Sequence, residues 1–232
     1  MNFEICTDSV EGAIVAGEYG AKRIELCSAL SVGGLTPSYG LIHQCVEKAK
    51  VEVHVMIRHK VGGFCYTNDD VEVMKIDILA AKQAGARGVV FGILTPDDKV
   101  SFFNKELVDF SKKLRLEVTF HRAFDFIKDY NSAIKILIEY GFDRLLTSGL
   151  QETAIKGIEV IKELQNNYGN QIQIMAGSGI NTTNAKELAN TGIKNLHFTA
   201  HKSKEGSTNL SMGEEMIVDK IKIASIMSLF NN

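Results

Sequence analysis

The chain has 232 residues, 45% of them hydrophobic and 23% charged, with a formal net charge of −2. These figures fit one globular α/β domain over residues 1–232, and they leave no basic footprint for nucleic acid or an anionic membrane. Four cysteines without a CxxC pair argue against a disulfide framework. Because there is also no signal-like start and no apolar run near the roughly 20 residues of a membrane span, a reduced cytoplasmic protein is expected.

Eight short apolar runs recur, beginning near Phe3, Arg23, Glu52, Gly88, Arg115, Asp143, Gln171 and Asn195. The spacing predicts strands over 3–6, 23–27, 52–58, 88–94, 115–121, 143–147, 171–176 and 195–199. Helices are expected over 8–18, from Thr36-Pro37-Ser38 onward, and over 69–85, 104–113, 128–140, 151–167, 181–190 and 214–229. Asp8-Ser9 supplies oxygens that accept from the free N–H groups of a first turn, and Pro37 suits a helix start. The Ser- and Gly-rich stretch 202–213 reads as one long loop. A strand–helix unit repeated eight times is the pattern of a (β/α)8 TIM barrel, whose active sites lie where the strands end.

Alternate residues of a strand face the same way. One set of faces carries Glu4, Cys6 and Asp8; Arg23, Glu25 and Cys27; His54, Met56 and Arg58; Glu117, Thr119 and His121; and His197, Thr199 and His201. The other set is mostly apolar and suits packing under helices, so the polar set lines the lumen. Burying that many ionisable groups costs several kcal/mol each unless they are paired. They therefore either pair with one another or serve a site.

Three constellations carry chemistry. Cys6 and Cys27 end adjacent strands, which lie about 4.8 Å apart, so their thiolates could approach one metal ion, with Met56 adding a thioether. That donor set suits Cu(I), and two cysteines alone do not close a zinc site. Gly177, Ser178 and Gly179 leave the seventh strand through a glycine turn which, with Thr199, could hold an anion; the same glycines also serve a tight turn. The third is the stretch from Thr119 to Asp125. There His121 titrates near neutral pH, Asp125 could orient it, and Arg122 or Arg58 could clamp an anion, with Glu25 across the lumen completing an acid–base pair. A rim Arg–Asp ion pair is the structural alternative.

At these residues the sequence resembles the CutC family of copper homeostasis proteins. The matching stretches are Glu4-Ile5-Cys6, Arg23-Ile24-Glu25-Leu26-Cys27, Gly33-Gly34-Leu35-Thr36-Pro37-Ser38, Met56-Ile57-Arg58, Phe64-Cys65-Tyr66, Thr119–Asp125, Leu146-Thr147-Ser148-Gly149 and Met175–Ile180. The resemblance implies a cytoplasmic TIM barrel assigned to copper homeostasis, a homo-oligomer (dimer or tetramer), with Cys6 and Cys27 in the places of the proposed Cu(I) ligands. One loop departs from the family pattern Arg-Pro-Arg-Gly-Gly-Asp-Phe: here it reads Arg58-His59-Lys60-Val61-Gly62-Gly63-Phe64. Lys60 lacks the forked donors of an arginine, and the loop aspartate has no counterpart.

Two functions follow. One is copper handling, with copper as the bound ion. The other is an enzyme acting on an anionic small molecule through Glu25, Arg58, His121 and Asp125, which would explain lumen charges that two thiols do not need. A partner-binding scaffold ranks last.

Overall fold

The computed structural model describes residues 1–204 and 216–230. Eight parallel strands close into a barrel in sequence order: β1 (Asn2–Thr7), β2 (Arg23–Leu26), β3 (Glu52–Met56), β4 (Gly88–Phe91), β5 (Glu117–Phe120), β6 (Arg144–Thr147), β7 (Gln173–Gly177) and β8 (Asn195–Thr199). Around them lie α1 (Val10–Glu18), α2 (Tyr39–Lys48), α3 (Asn68–Gln83), α4 (Phe103–Lys113), α5 (Tyr130–Tyr140), α6 (Ile158–Tyr168), α7 (Ala185–Ala189) and α8 (Lys220–Ser228). This is the (β/α)8 barrel that the repeat of eight predicted.

Register decides which side chains meet. Glu4 pairs across to Arg23 on β2 and to His197 on β8, while Cys6 pairs to Glu25 and Thr199. Outward residues such as Ile5, Ile24, Val55, Phe120 and Leu196 join the helices in one continuous apolar core. Cys6, Cys27, Met56 and Val90 form a separate small cluster with Leu30 against it. Local signals hold the helices: the Ser9 hydroxyl accepts from Gly12 N–H at the start of α1, and Thr67 with Asp70 makes a capping box on α3.

Several boundaries differ from the sequence expectation, and four of the differences have a local reason. Arg115 sits at φ 59°, so the fifth strand begins only at Glu117. The sixth helix begins at Ile158 rather than 151 because the loop before it doubles back; a Cβ on Gly149 would lie 2.1 Å from the Gly157 carbonyl oxygen. The seventh helix is short because the Asn184 side chain accepts from Asn181 N–H at 2.9 Å and closes a turn ahead of it. The expected loop over 202–213 begins instead in strand β9 (His201–Ser203), which pairs antiparallel with β10 (Met216–Val218); residues 205–215 lie outside the described residues. Among the described residues no helix is long and apolar enough to cross a membrane.

Candidate functional site

The lower lumen is a closed ion network. Arg23 Nε donates to Glu4 Oε2 at 2.5 Å and its Nη2 to Asn195 Oδ1 at 3.1 Å. The other Glu4 oxygen lies 2.8 Å from His197 Nδ1. Burial alone would raise the Glu4 pKa, but Arg23 and His197 outweigh it and hold the carboxyl far below its usual range. Arg144 donates to Thr119 Oγ1 and Glu117 Oε2, both at 2.9 Å. His54 is fully buried, neither ring nitrogen has a hydrogen-bond partner among the described residues, and burial lowers its pKa to about 4. In this layer the lumen charges pair with one another.

The upper lumen is different. Cys6 Sγ and Cys27 Sγ lie 4.0 Å apart, both buried and both free. The Cys27 thiol has one proton and two acceptors, Cys6 Sγ and Glu25 Oε2 at 3.7 Å. Donation to Cys6 holds the Cys6 thiol well below its ordinary value and pushes Cys27 above it. The loop after β2 is shaped around these sulfurs. Gly34 stands at φ +86°, and a Cβ there would lie 3.0 Å from Cys27 Sγ.

Glu25 is buried beside the thiols, and its Oε1 has no hydrogen-bond partner among the described residues. Burial pushes its pKa well above the usual carboxylate range. His197 lies between two carboxylates, with Nδ1 on Glu4 and Nε2 3.7 Å from Glu25 Oε2. Burial would lower its pKa, yet the carboxylates raise it well above the ordinary value. Glu25 and Glu4 both favour the proton on His197, Glu4 through its direct contact with Nδ1. Above this layer opens a cavity of about 350 Å³ whose lining includes Cys6, Glu25, Met56, Arg58, His121 and His197.

At the rim the structure corrects two sequence expectations and narrows a third. Arg58 Nη1 donates to the Val32 and Gly34 carbonyls and Nη2 to Gly62, while its buried Nε has no hydrogen-bond partner among the described residues. Arg58 ties the second βα loop to the third. Asp125 does not orient His121. Its carboxylate accepts from Arg122 Nε, the Thr147 hydroxyl, the Ser148 N–H and hydroxyl, and Leu150 N–H. The rim Arg–Asp ion pair is therefore what forms, and it fixes Arg122. His121 is not poised near neutral pH, since burial lowers its pKa to about 4. Its Nδ1 accepts from Ala123 N–H at 3.2 Å, which leaves the neutral ring with an Nε2–H donor.

In the altered third loop, Lys60 and His59 both reach Asp70 on α3, at 2.7 and 2.8 Å. An acid on the helix thus anchors a loop that lacks its own aspartate. The Gly177–Gly179 turn carries Ser178 at φ +83° and Gly179 at +73°. Ser178, Gly179 and Thr199 line a second cavity of about 230 Å³ together with Arg122, His197 and Lys222. Gly177 itself packs against Leu146 and His197 instead.

Sequence reasoning put His197 in the lumen but left it out of the site. Its register opposite Glu4 was the available signal. Lys222 had no signal, because nothing in the chain indicated that the last helix returns to the barrel mouth.

The CutC family model matches residues 1–202. The chain belongs to the CutC family. A CutC family protein of Bacteroides fragilis is 45% identical, covering 87% of this chain and 80% of the relative. One from Glaesserella parasuis is 42% identical over 86% and 82%. The crystal structure of a Streptococcus agalactiae protein named for copper homeostasis, CutC, superposes with a TM-score of 0.77 at 33% identity, covering 85% of this chain and 98% of that one.

Proposed function

We propose that this CutC chain serves copper homeostasis as a cytoplasmic Cu(I)-binding protein, with Cys6 and Cys27 as its thiol ligands. The observation that carries the reading is the pair of free, buried sulfurs 4.0 Å apart, of which Cys6 lines the cavity. Metal–thiolate bonds are near 2.3 Å for zinc, so two bonds of about that length bridge such a gap at an open angle. Soft sulfur donors favour Cu(I), and the Met56 thioether belongs to the same cluster. The Streptococcus agalactiae relative is named for the same role.

An anaerobic Cu(I) competition titration tests the reading. Near-stoichiometric binding is expected in the wild type, and its loss in the Cys6→Ser/Cys27→Ser double variant. Equal affinities in the two would overturn it.

One observation favours a second reading, an enzyme acting on a small anionic molecule. The cavity over the thiols is far larger than an ion needs, and Glu25 presents a buried, unpartnered oxygen beside it. In that reading Glu25 moves a proton and the neutral His121 donates a hydrogen bond. Glu25→Gln would abolish turnover of a substrate found by screening small anions, and retained turnover would remove Glu25 from the role.

A further inference from the structure

Two cavities meet at the barrel mouth, since Arg122, His197 and Thr199 line both. The smaller one is cationic. Arg122 comes from the turn after β5 and is held by Asp125 through Nε and by Ser148 Oγ through Nη2, at 2.8 and 2.9 Å. Its position is therefore set before any ligand arrives, and Asp125 balances its charge. Lys222 comes from the first turn of α8. It is half-buried, and no carboxylate pairs with its ammonium among the described residues. A partly buried lysine without a counter-charge, aimed into a cavity beside a fixed arginine, is an unbalanced arrangement that an anion would balance.

The backbone contributes as well. Ser178 holds a left-handed conformation, φ +83°, that is strained for a non-glycine residue. Ser178 Oγ donates to the Glu152 carbonyl at 2.8 Å, and Ala154 N–H donates to the Ser178 carbonyl at 3.0 Å; together these pin the residue in place. The turn so formed presents the Gly179 and Ile180 N–H groups, neither of which makes a hydrogen bond to the described residues. Successive free N–H groups in a turn form an anion-binding concavity. Thr199 lines both cavities.

We infer that the 230 Å³ cavity between Arg122, Lys222 and the Ser178–Ile180 turn binds the phosphate group of a small phosphate monoester whose carbon body extends into the 350 Å³ cavity. A tetrahedral dianion has enough oxygens to meet an arginine, a lysine and two N–H groups at once, which a single carboxylate does not. The body of the ligand then lies against Phe64, Leu30 and Leu146, with Glu25 and its unpartnered oxygen beside His197 on the same lining. The inference deepens the enzymatic reading; none of its phosphate-binding groups is a sulfur ligand, while the body of the ligand shares the larger cavity with Cys6 and Met56.

Isothermal titration of the wild type, Lys222→Met and Lys222→Arg with inorganic phosphate, and separately with glycolate, tests it. Saturable phosphate binding is expected in the wild type, weakened about tenfold or more in Lys222→Met, as loss of one charge-assisted contact implies, and largely restored in Lys222→Arg. Cu(I) affinity is expected to be unchanged in all three, which also shows that the variants are folded. Absence of phosphate binding in the wild type, or binding indifferent to Lys222→Met, would overturn the inference. Glycolate binding without phosphate binding would remove the phosphate site and leave the enzymatic reading standing. Binding of neither probe would remove both.

Discussion

Gly34 shows how much the placement of the two thiols rests on one position. It combines a left-handed backbone with a close approach to Cys27 Sγ, and a Cβ would press on that sulfur at 3.0 Å. Its neighbour Gly33 has the same handedness, φ +88°, but a Cβ there would meet only Arg58 Nη1, at 3.7 Å. The two glycines therefore separate backbone strain from sulfur displacement. Either Gly→Ala change is expected to cost about 1–2 kcal/mol of stability, read as a shift of the denaturant midpoint. Only Gly34→Ala should also lower Cu(I) affinity in the competition titration, by tenfold or more. Equal copper affinities for the two variants would show that Gly34 does not shape the thiol pair.

The strands β1, β2 and β8 carry the ion network that fills the lower lumen, and its strength depends on burial. Arg23 and Glu4 are 2% and 0% exposed, whereas Lys22 and Glu52 form a similar contact at the surface with 53% and 33% exposure. Removing one partner of a buried pair strands the other, so Arg23→Met is expected to cost about 3–5 kcal/mol in equilibrium unfolding. Lys22→Met should cost less than about 1 kcal/mol. The double change Arg23→Met/Glu4→Gln should recover part of the loss, because the uncompensated carboxylate is then gone. Similar costs for Arg23→Met and Lys22→Met would refute the network's structural role.

This is also the level at which the sequence was most readable. Period-two alternation placed Glu4, Arg23, Glu25, His54 and His197 in one lumen, because alternation is a property of the backbone alone. It could not say which of them pair, since that depends on register around the closed barrel. The rim was harder still. Three backbone carbonyls take up the Arg58 Nη groups and leave Nε without a partner among the described residues, and Asp125 looked like a partner for His121 until the turn after β6 claimed it. Loop carbonyls and N–H groups leave no trace in residue identity, so contacts made to them are invisible in sequence.

The whole molecule stacks a layer of satisfied charge beneath a layer of unsatisfied donors and acceptors, and this sets its response to acid. His121 bridges the upper layer and the rim. As N-cap of the turn Arg122–Phe126 its Nδ1 must stay unprotonated to accept from Ala123 N–H. Burial, aided by Arg58, lowers its pKa from 6.5 to about 4. The folded state thus favours the neutral ring, and the unfolded chain takes up the proton first as pH falls. Its contribution is fully present above pH 6.5, declines as pH falls below that, and is lost by about pH 4. At about 1.4 kcal/mol per unit, the loss is on the order of 3 kcal/mol. His54, also lowered to about 4 by burial, adds a loss of the same sign in the same window. His121→Asn keeps an acceptor at the cap and removes the titration. Urea unfolding at intervals from pH 7 to pH 4 should therefore show the wild type losing about 3 kcal/mol more than His121→Asn. The variant should still weaken through His54. Parallel curves for the two proteins across that range would mean that His121 does not carry a depressed pKa in the folded barrel.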